Sequence, residues 1–238
     1  MALVKFEMNG GSAKIVGSFG SASDLRDSQL AEVRKACDIA EIRLDLLIAE
    51  CGKIHPALWA HLLDFPLLFT ARRSEEGGAG ALDADTRTKL LMDVLDDASL
   101  IDIEVASIPE MTTILHELRS RKIPWVASCH DFEKLPDLAV LREAEARANE
   151  SGATIFKAAA MLSSPADLTR LADFQMASHA LPVSTMGMGP LAPVSRLLCA
   201  QTGSVLNYGY LGTKATAPGQ WDSRLLKTAI SRLTPFKR

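Results

Sequence analysis

The sequence carries no excess of positive charge: 26 Lys and Arg stand against 29 Asp and Glu, a formal net charge of −3 over 238 residues. Non-specific binding to nucleic acid or to an anionic membrane surface therefore has no electrostatic basis. No apolar run approaches the ~18–20 residues that a membrane span needs. The N-terminal stretch MALVKFEMNGGSAK has no continuous apolar segment of the kind a secretory signal requires. The four cysteines, Cys37, Cys51, Cys129 and Cys199, form no C-x-x-C pair, which argues against a zinc ribbon, a thioredoxin-like motif or a disulfide framework. A cytoplasmic protein with largely buried thiols is expected. No Pro/Gly/Ser-rich linker, internal repeat or low-complexity tract divides the chain, so residues 1–238 read as one domain.

What is present is a repeated alternation. Eight short apolar runs read as strands: KIVGSF from Lys14, IAEIRLDLL from Ile39, PLLFTAR from Pro66, LIDIEV from Leu100, WVASCH from Trp125, TIFKAAAM from Thr154, LPVSTM from Leu181 and SVLNYGY from Ser204. Near-continuous apolar runs are the pattern of parallel strands covered on both faces. Helical stripes lie between them. Met111, Ile114, Leu115 and Leu118 form one, opened by a capping box at Ser107-Ile108-Pro109-Glu110. Ser164-Pro165-Ala166-Asp167 opens another. Leu90, Leu91, Val94 and Leu95 form a third, and Leu138, Leu141 and Ala148, with Gly152 at the C-terminal end, a fourth. Leu225, Leu226 and Ile230 suggest a closing helix. Eight strand–helix repeats in this length point to an α/β fold, a single (β/α)8 TIM barrel, over an open doubly wound sheet. Gly77-Gly78-Ala79-Gly80 reads as a mobile loop after the third strand.

In such a barrel, functional groups belong where strands end and βα loops begin. Glu41, Arg43 and Asp45 alternate with Ile42 and Leu44, so period two puts three charges on one face of the second strand. They need partners or a polar cavity. The third strand runs into T-A-R-R-S-E-E-G-G, where Arg72 and Glu76 could flank a site, although the run taken alone reads as a solvated charge cluster. Asp102 and Glu104 alternate in the fourth strand, and His130 follows the apolar fifth. Lys157 lies inside T-I-F-K-A-A-A-M. Burial disfavours an ammonium, and a neutral amine there can attack a carbonyl and form a Schiff base. Arg196, at the start of a helix after the seventh strand, suits a carboxylate, and Thr216 and Gln220 offer a hydroxyl and an amide in the last loop. Gly187-Met188-Gly189-Pro190-Leu191-Ala192 matches the dinucleotide fingerprint G-x-G-x-x-A, but Pro190 lacks an N–H and no acidic residue follows until Asp222.

Taken in order, E-I-R-L-D, T-A-R-R-S-E-E-G-G, S-C-H-D-F, I-F-K-A, M-G-P-L-A-P-V-S-R and K-A-T-A-P-G-Q resemble the type I 3-dehydroquinate dehydratases, the Schiff-base class of the shikimate pathway. The resemblance spans nearly the whole chain. It implies a (β/α)8 barrel, commonly a homodimer, without metal or organic cofactor, that converts 3-dehydroquinate to 3-dehydroshikimate and water. It implies that Lys157 is the Schiff-base lysine, His130 the general acid/base and Glu76 the carboxylate supporting it. Arg196, with Gln220 nearby, matches the holder of the substrate carboxylate. Glu41, Arg43 and Arg72 match contacts to its hydroxyls, and Met188 and Phe132 apolar walls. Thr216 stands where the family most often has serine, and Ala192 where glycine is usual. The end of the first strand, Gly17-Ser18-Phe19, lacks a proline often found there. Two other readings stay open: another class I Schiff-base barrel of aldolase type acting on a small hydroxy-keto acid, and a catalytically silent ligand-binding barrel. The T-A-P-G-Q loop and Arg196 suit a carboxylate and hydroxyls more than a phosphate.

Overall fold

The computed structural model of the chain describes residue 6 and residues 12–234. The N-terminal stretch read for a secretory signal lies outside the described residues except at positions 6 and 12–14. Eight strands form one all-parallel sheet: β1 (Lys14–Phe19), β2 (Ile39–Arg43), β3 (Leu67–Thr70), β4 (Leu100–Glu104), β5 (Trp125–Asp131), β6 (Ile155–Met161), β7 (Val183–Met188) and β8 (Leu206–Leu211). From β1 to β7 each pairs with the next in sequence, and β8 pairs with β1. The ring draws together between β7 and β8, where the Val205 N–H donates to the Val183 carbonyl (3.0 Å) and Ser184 Oγ to the Leu206 carbonyl (2.8 Å). Helices α1 (Ala22–Arg26), α2 (Leu30–Ala36), α3 (Leu44–Cys51), α4 (Ala84–Met92), α5 (Thr112–Arg121), α6 (Leu138–Glu150), α7 (Pro165–Met176), α8 (Ala192–Gln201) and α9 (Ser223–Ile230) fill the connections. The result is a TIM-type barrel.

The alternation along each strand builds two cores. One face carries Ile42, Phe69, Ile103 and Phe156, which join Leu25, Leu91, Ile114, Leu171 and Leu226 from the helices in the large outer core. The other face points into the barrel. Val16, Ile39, Leu68, Leu100, Val126, Ile155 and Leu206 plug its N-terminal half. Two residues further along the same strands the inward positions turn polar: Ser18, Glu41, Thr70, Asp102, Ser128 and Lys157, all buried. An apolar floor thus lies beneath a charged upper layer.

Several local expectations need correction. The run from Ile39 is not one strand: β2 ends at Arg43, and Leu44 and Leu47, three apart, bury one face of α3 on the outer core. Asp45 therefore leaves the strand, although it stays wholly buried. Ser107 caps nothing on α5. Its hydroxyl donates to Glu104 (3.1 Å) and accepts from Arg87 (3.0 Å), while α5 starts at Thr112 with no side-chain cap. Leu225 is exposed while Leu226 and Ile230 are buried, because adjacent helical positions differ by about 100°. The capping box at Ser164 and Asp167 forms as read, and Gly152 takes its left-handed conformation (φ 81°) after α6. All four cysteines are free, and Cys51 is exposed rather than buried.

Candidate active site

The upper end of the barrel opens into a cavity of about 480 Å³, solvent at its mouth included. The eleven residues given a site role from the sequence all line it: Glu41, Arg43, Arg72, Glu76, His130, Phe132, Lys157, Met188, Arg196, Thr216 and Gln220. Ser18, Met186 and Tyr208, among others, line it too.

Lys157 stands at its floor, 4% exposed. Its Nζ donates to Asp102 Oδ2 at 3.0 Å and lies 4.0 Å above the centre of the Tyr208 ring. Burial lowers its pKa, the Asp102 carboxylate pulls it back up, and Arg72 lowers it further. Asp102 was visible in the alternation of the fourth strand but had no role assigned. In the fold it joins Lys157 to Arg72, whose Nη1 lies 3.1 Å from Oδ1 and also donates to Ser128 (2.7 Å) and Glu104 (2.9 Å). Burial alone would raise the Asp102 carboxyl, but Arg72 and Lys157 outweigh it and hold it far below the ordinary value. The expectation of a solvated charge cluster after the third strand thus fails for Arg72, which is buried. It holds for Glu75, which is exposed.

Beside the lysine, His130 occupies the last inward-facing position of β5. Glu76 Oε2 lies 2.9 Å from its Nδ1 and accepts its backbone N–H at 2.9 Å. Burial, with Arg72 and Lys157 near, holds the imidazole well below its usual pKa, so it is neutral at neutral pH. Glu76 moves the other way, to about 7, chiefly through burial. An ionised Glu76 accepts Nδ1–H and leaves Nε2 free as a base.

The opposite wall holds Arg196, 1% exposed. Its Nη1 donates to the Tyr208 carbonyl (2.9 Å) and Met186 Sδ (3.2 Å), and its Nε has no partner among the described residues. No carboxylate pairs with it in the described structure. Burial pushes its pKa down to about 10, which still leaves it charged. A buried guanidinium without an anion, open to a cavity, suits an anionic ligand. Gln220 Oε1 accepts from the Thr216 N–H (2.8 Å) and hydroxyl (3.0 Å), tying the last loop. Ala192 is an ordinary first helical residue (φ −54°), so the absence of glycine costs the backbone nothing. The fingerprint amides of Gly187 and Gly189 are taken by Ser195 Oγ (2.9 Å) and the Pro218 carbonyl (3.1 Å), leaving no phosphate cradle.

Glu41 accepts from the Ser18 and Thr70 hydroxyls. Arg43 forms a two-pronged pair with Asp45, at 2.8 and 2.6 Å. Asp45 also accepts the N–H groups of Arg72 (3.2 Å) and Ala79 (3.0 Å), so the glycine-rich loop read as mobile is tethered to it. Asp45→Asn would leave Arg43 buried without a counter-charge. The expected loss is about 3–5 kcal/mol of stability, read as a lower urea midpoint at unchanged slope. Among the described residues no group of three or more His, Cys, Asp or Glu side chains is placed to hold a metal ion.

The sequence profile of the type I 3-dehydroquinase family matches residues 20–235. A catabolic 3-dehydroquinate dehydratase from Acinetobacter baylyi is 33% identical over 229 residues, covering 88% of this chain and 83% of the relative. The crystal structure of a 3-dehydroquinate dehydratase from Geobacillus kaustophilus superposes with a TM-score of 0.84 at 26% identity, covering 97% and 95% of the two chains. A type I enzyme from Clostridium difficile, crystallised with covalently modified comenic acid, gives 0.77 at 25% identity, covering 97% and 96%.

Proposed function

The chain belongs to the type I 3-dehydroquinase family, and from that premise we propose that it removes water from 3-dehydroquinate through an imine on Lys157. It is a hydro-lyase. The observation that carries the imine is the placement of Lys157: a buried amine with a lowered pKa on the floor of a cavity, with a base beside it and an unpaired guanidinium opposite.

In this reading Arg196 takes the substrate carboxylate, and Glu41, Arg43, Arg72, Thr216 and Gln220 receive its polar groups, with Met188 and Phe132 as apolar walls. The Lys157 lone pair attacks the ketone carbon, and loss of water leaves an iminium. His130 Nε2 removes the proton on the neighbouring carbon, and that electron pair moves to the iminium nitrogen. The resulting enamine expels the β-hydroxyl, which leaves as water with the proton from His130. Hydrolysis of the conjugated iminium frees the product and the amine. Glu76 holds His130 in the tautomer that this requires. Asp102 holds Lys157 aimed upward.

Borohydride reduction with 3-dehydroquinate, followed by peptide mass mapping, is expected to fix the adduct on Lys157. Active enzyme without that adduct would remove the imine from the mechanism. Arg196→Gln is expected to lower kcat/KM by roughly 30- to 1,000-fold, a loss of about 2–4 kcal/mol, mostly through KM. Steady-state kinetics measure it. A cytoplasmic homodimer with no nucleic-acid or membrane partner completes the reading. Its support is the family resemblance, the four free thiols and the lack, among the described residues, of any helix long and apolar enough to cross a membrane. Light scattering on the purified protein tests the dimer.

A further inference from the structure

Tyr208, on β8, is in contact with both charged ends of the cavity. Its carbonyl accepts from Arg196 Nη1 at 2.9 Å, and its ring lies face-on beneath Lys157 Nζ at 4.0 Å. The residue is 4% exposed and belongs to the apolar floor formed with Val16, Ile155 and Met186. Its hydroxyl is buried and makes no hydrogen bond with the described residues. The ring is therefore not placed there by its polar end.

We propose that Tyr208 is a positioning residue whose ring face holds the positive charge on Lys157, first as the ammonium and then as the iminium. A cation above an aromatic face is attracted by the ring quadrupole, most strongly where water is excluded. The Lys157 site is of that kind. Around Nζ, Asp102 supplies the main opposing charge from β4 and Glu41 on β2 a weaker one, Arg72 on the βα loop after β3 a like charge, and His130 on β5 a neutral ring. Asp102 is shared with Arg72 and Ser128. Among the described residues no other cation lies over the Tyr208 ring. Burial, with Asp102 and Glu41 near, pushes the Tyr208 phenol well above its ordinary pKa, so it offers Lys157 a π face and not a phenolate. The interaction acts on the nitrogen and not on the substrate's carboxylate or hydroxyls.

The role in turnover rests on the imine reading, but the contact itself is a property of the free enzyme, and the test separates the two. Position 208 is filled with phenylalanine carrying zero, one, two or three ring fluorines, which drain the quadrupole with little change of shape. Without substrate, cyanate labels the neutral amine of Lys157, its N–H adding across the N=C bond of cyanic acid to give carbamoyl-lysine. Mass mapping against pH then yields the titration. The expected result is a midpoint that falls stepwise with fluorination, by up to about one pH unit in total, with phenylalanine as the reference. With 3-dehydroquinate, kcat is expected to fall along the same series by up to about ten-fold while KM stays within two-fold. A flat titration in the folded variants overturns the proposal. A stepwise titration without any dehydration by the parent enzyme would leave the contact standing and sink the imine reading instead. Tyr208→Leu and Tyr208→Met, where folded, should lie at or beyond the end of the fluorine series, and a midpoint at the phenylalanine value in either also overturns it.

Discussion

Lys157→Met is expected to abolish dehydration while leaving the barrel folded. Loss of the nucleophile removes the covalent route altogether, so kcat should fall by at least about 10⁴-fold, followed by the ultraviolet absorbance of the conjugated enone product. The effect on stability is the less obvious half. Removing one partner of a buried ion pair commonly strands the other, but Asp102 keeps Arg72 at 3.1 Å and Ser128 at 2.5 Å. Methionine fills similar volume and carries no desolvated charge. Urea unfolding should therefore place the variant within about 1 kcal/mol of the parent, or above it. Residual turnover within ten-fold of the parent would show that Lys157 is not the nucleophile. An unfolded variant would show that Arg72 and Ser128 do not compensate Asp102 for the lost ammonium.

His130→Ala is expected to retain substrate on Lys157 under borohydride while turnover drops about 10²- to 10⁴-fold, the range for a lost general acid–base group. The pH profile distinguishes His130 from its partner. In the working form Glu76 is ionised, His130 is neutral and Nε2 is free. Because burial raises Glu76 to about 7 and, with Arg72 and Lys157, depresses His130, a falling pH delivers its first proton to Glu76. The acid limb of kcat/KM, which reports the free enzyme, should therefore sit near pH 7 in the parent enzyme. Glu76→Gln has no carboxylate to titrate. Its remaining limb belongs to His130 alone and should move to lower pH, below the ordinary imidazole value, on a plateau reduced by about ten-fold or more. A limb that stays near 7 in that variant would assign it to another group.

The candidate site was legible because barrel strands obey period two. A charge inside an apolar strand run has only two faces to choose between, and the outer one packs against helices. Glu41, Arg43 and Lys157 stand out on that ground alone, whereas Arg72, in a run that by itself reads as a solvated cluster, and His130, after its apolar strand, gain their roles from the resemblance. Asp45 was drawn onto the same face by the alternation, yet it sits in the first turn of α3, where it clamps Arg43 and the glycine-rich loop. Ser107 carries a capping sequence, but its hydroxyl is drawn into the Glu104–Arg87 network, whose partners lie on different elements. Local pattern could not weigh that competition.

The chain's own letters determine the number of strands, their parallel arrangement and the polarity of the barrel, since apolar residues fill the N-terminal end of most inward rows and polar or charged ones follow. Among the described residues no helix is long and apolar enough to cross a membrane. What only the tertiary structure decides is which charges meet. Asp102 and Lys157 are 55 residues apart and Glu76 and His130 are 54 apart, and Tyr208 comes beneath the lysine only when β8 returns to β1. Pairings of that kind follow from barrel closure and register. They set the pKa values, because burial and neighbouring charge act through space and not along the chain.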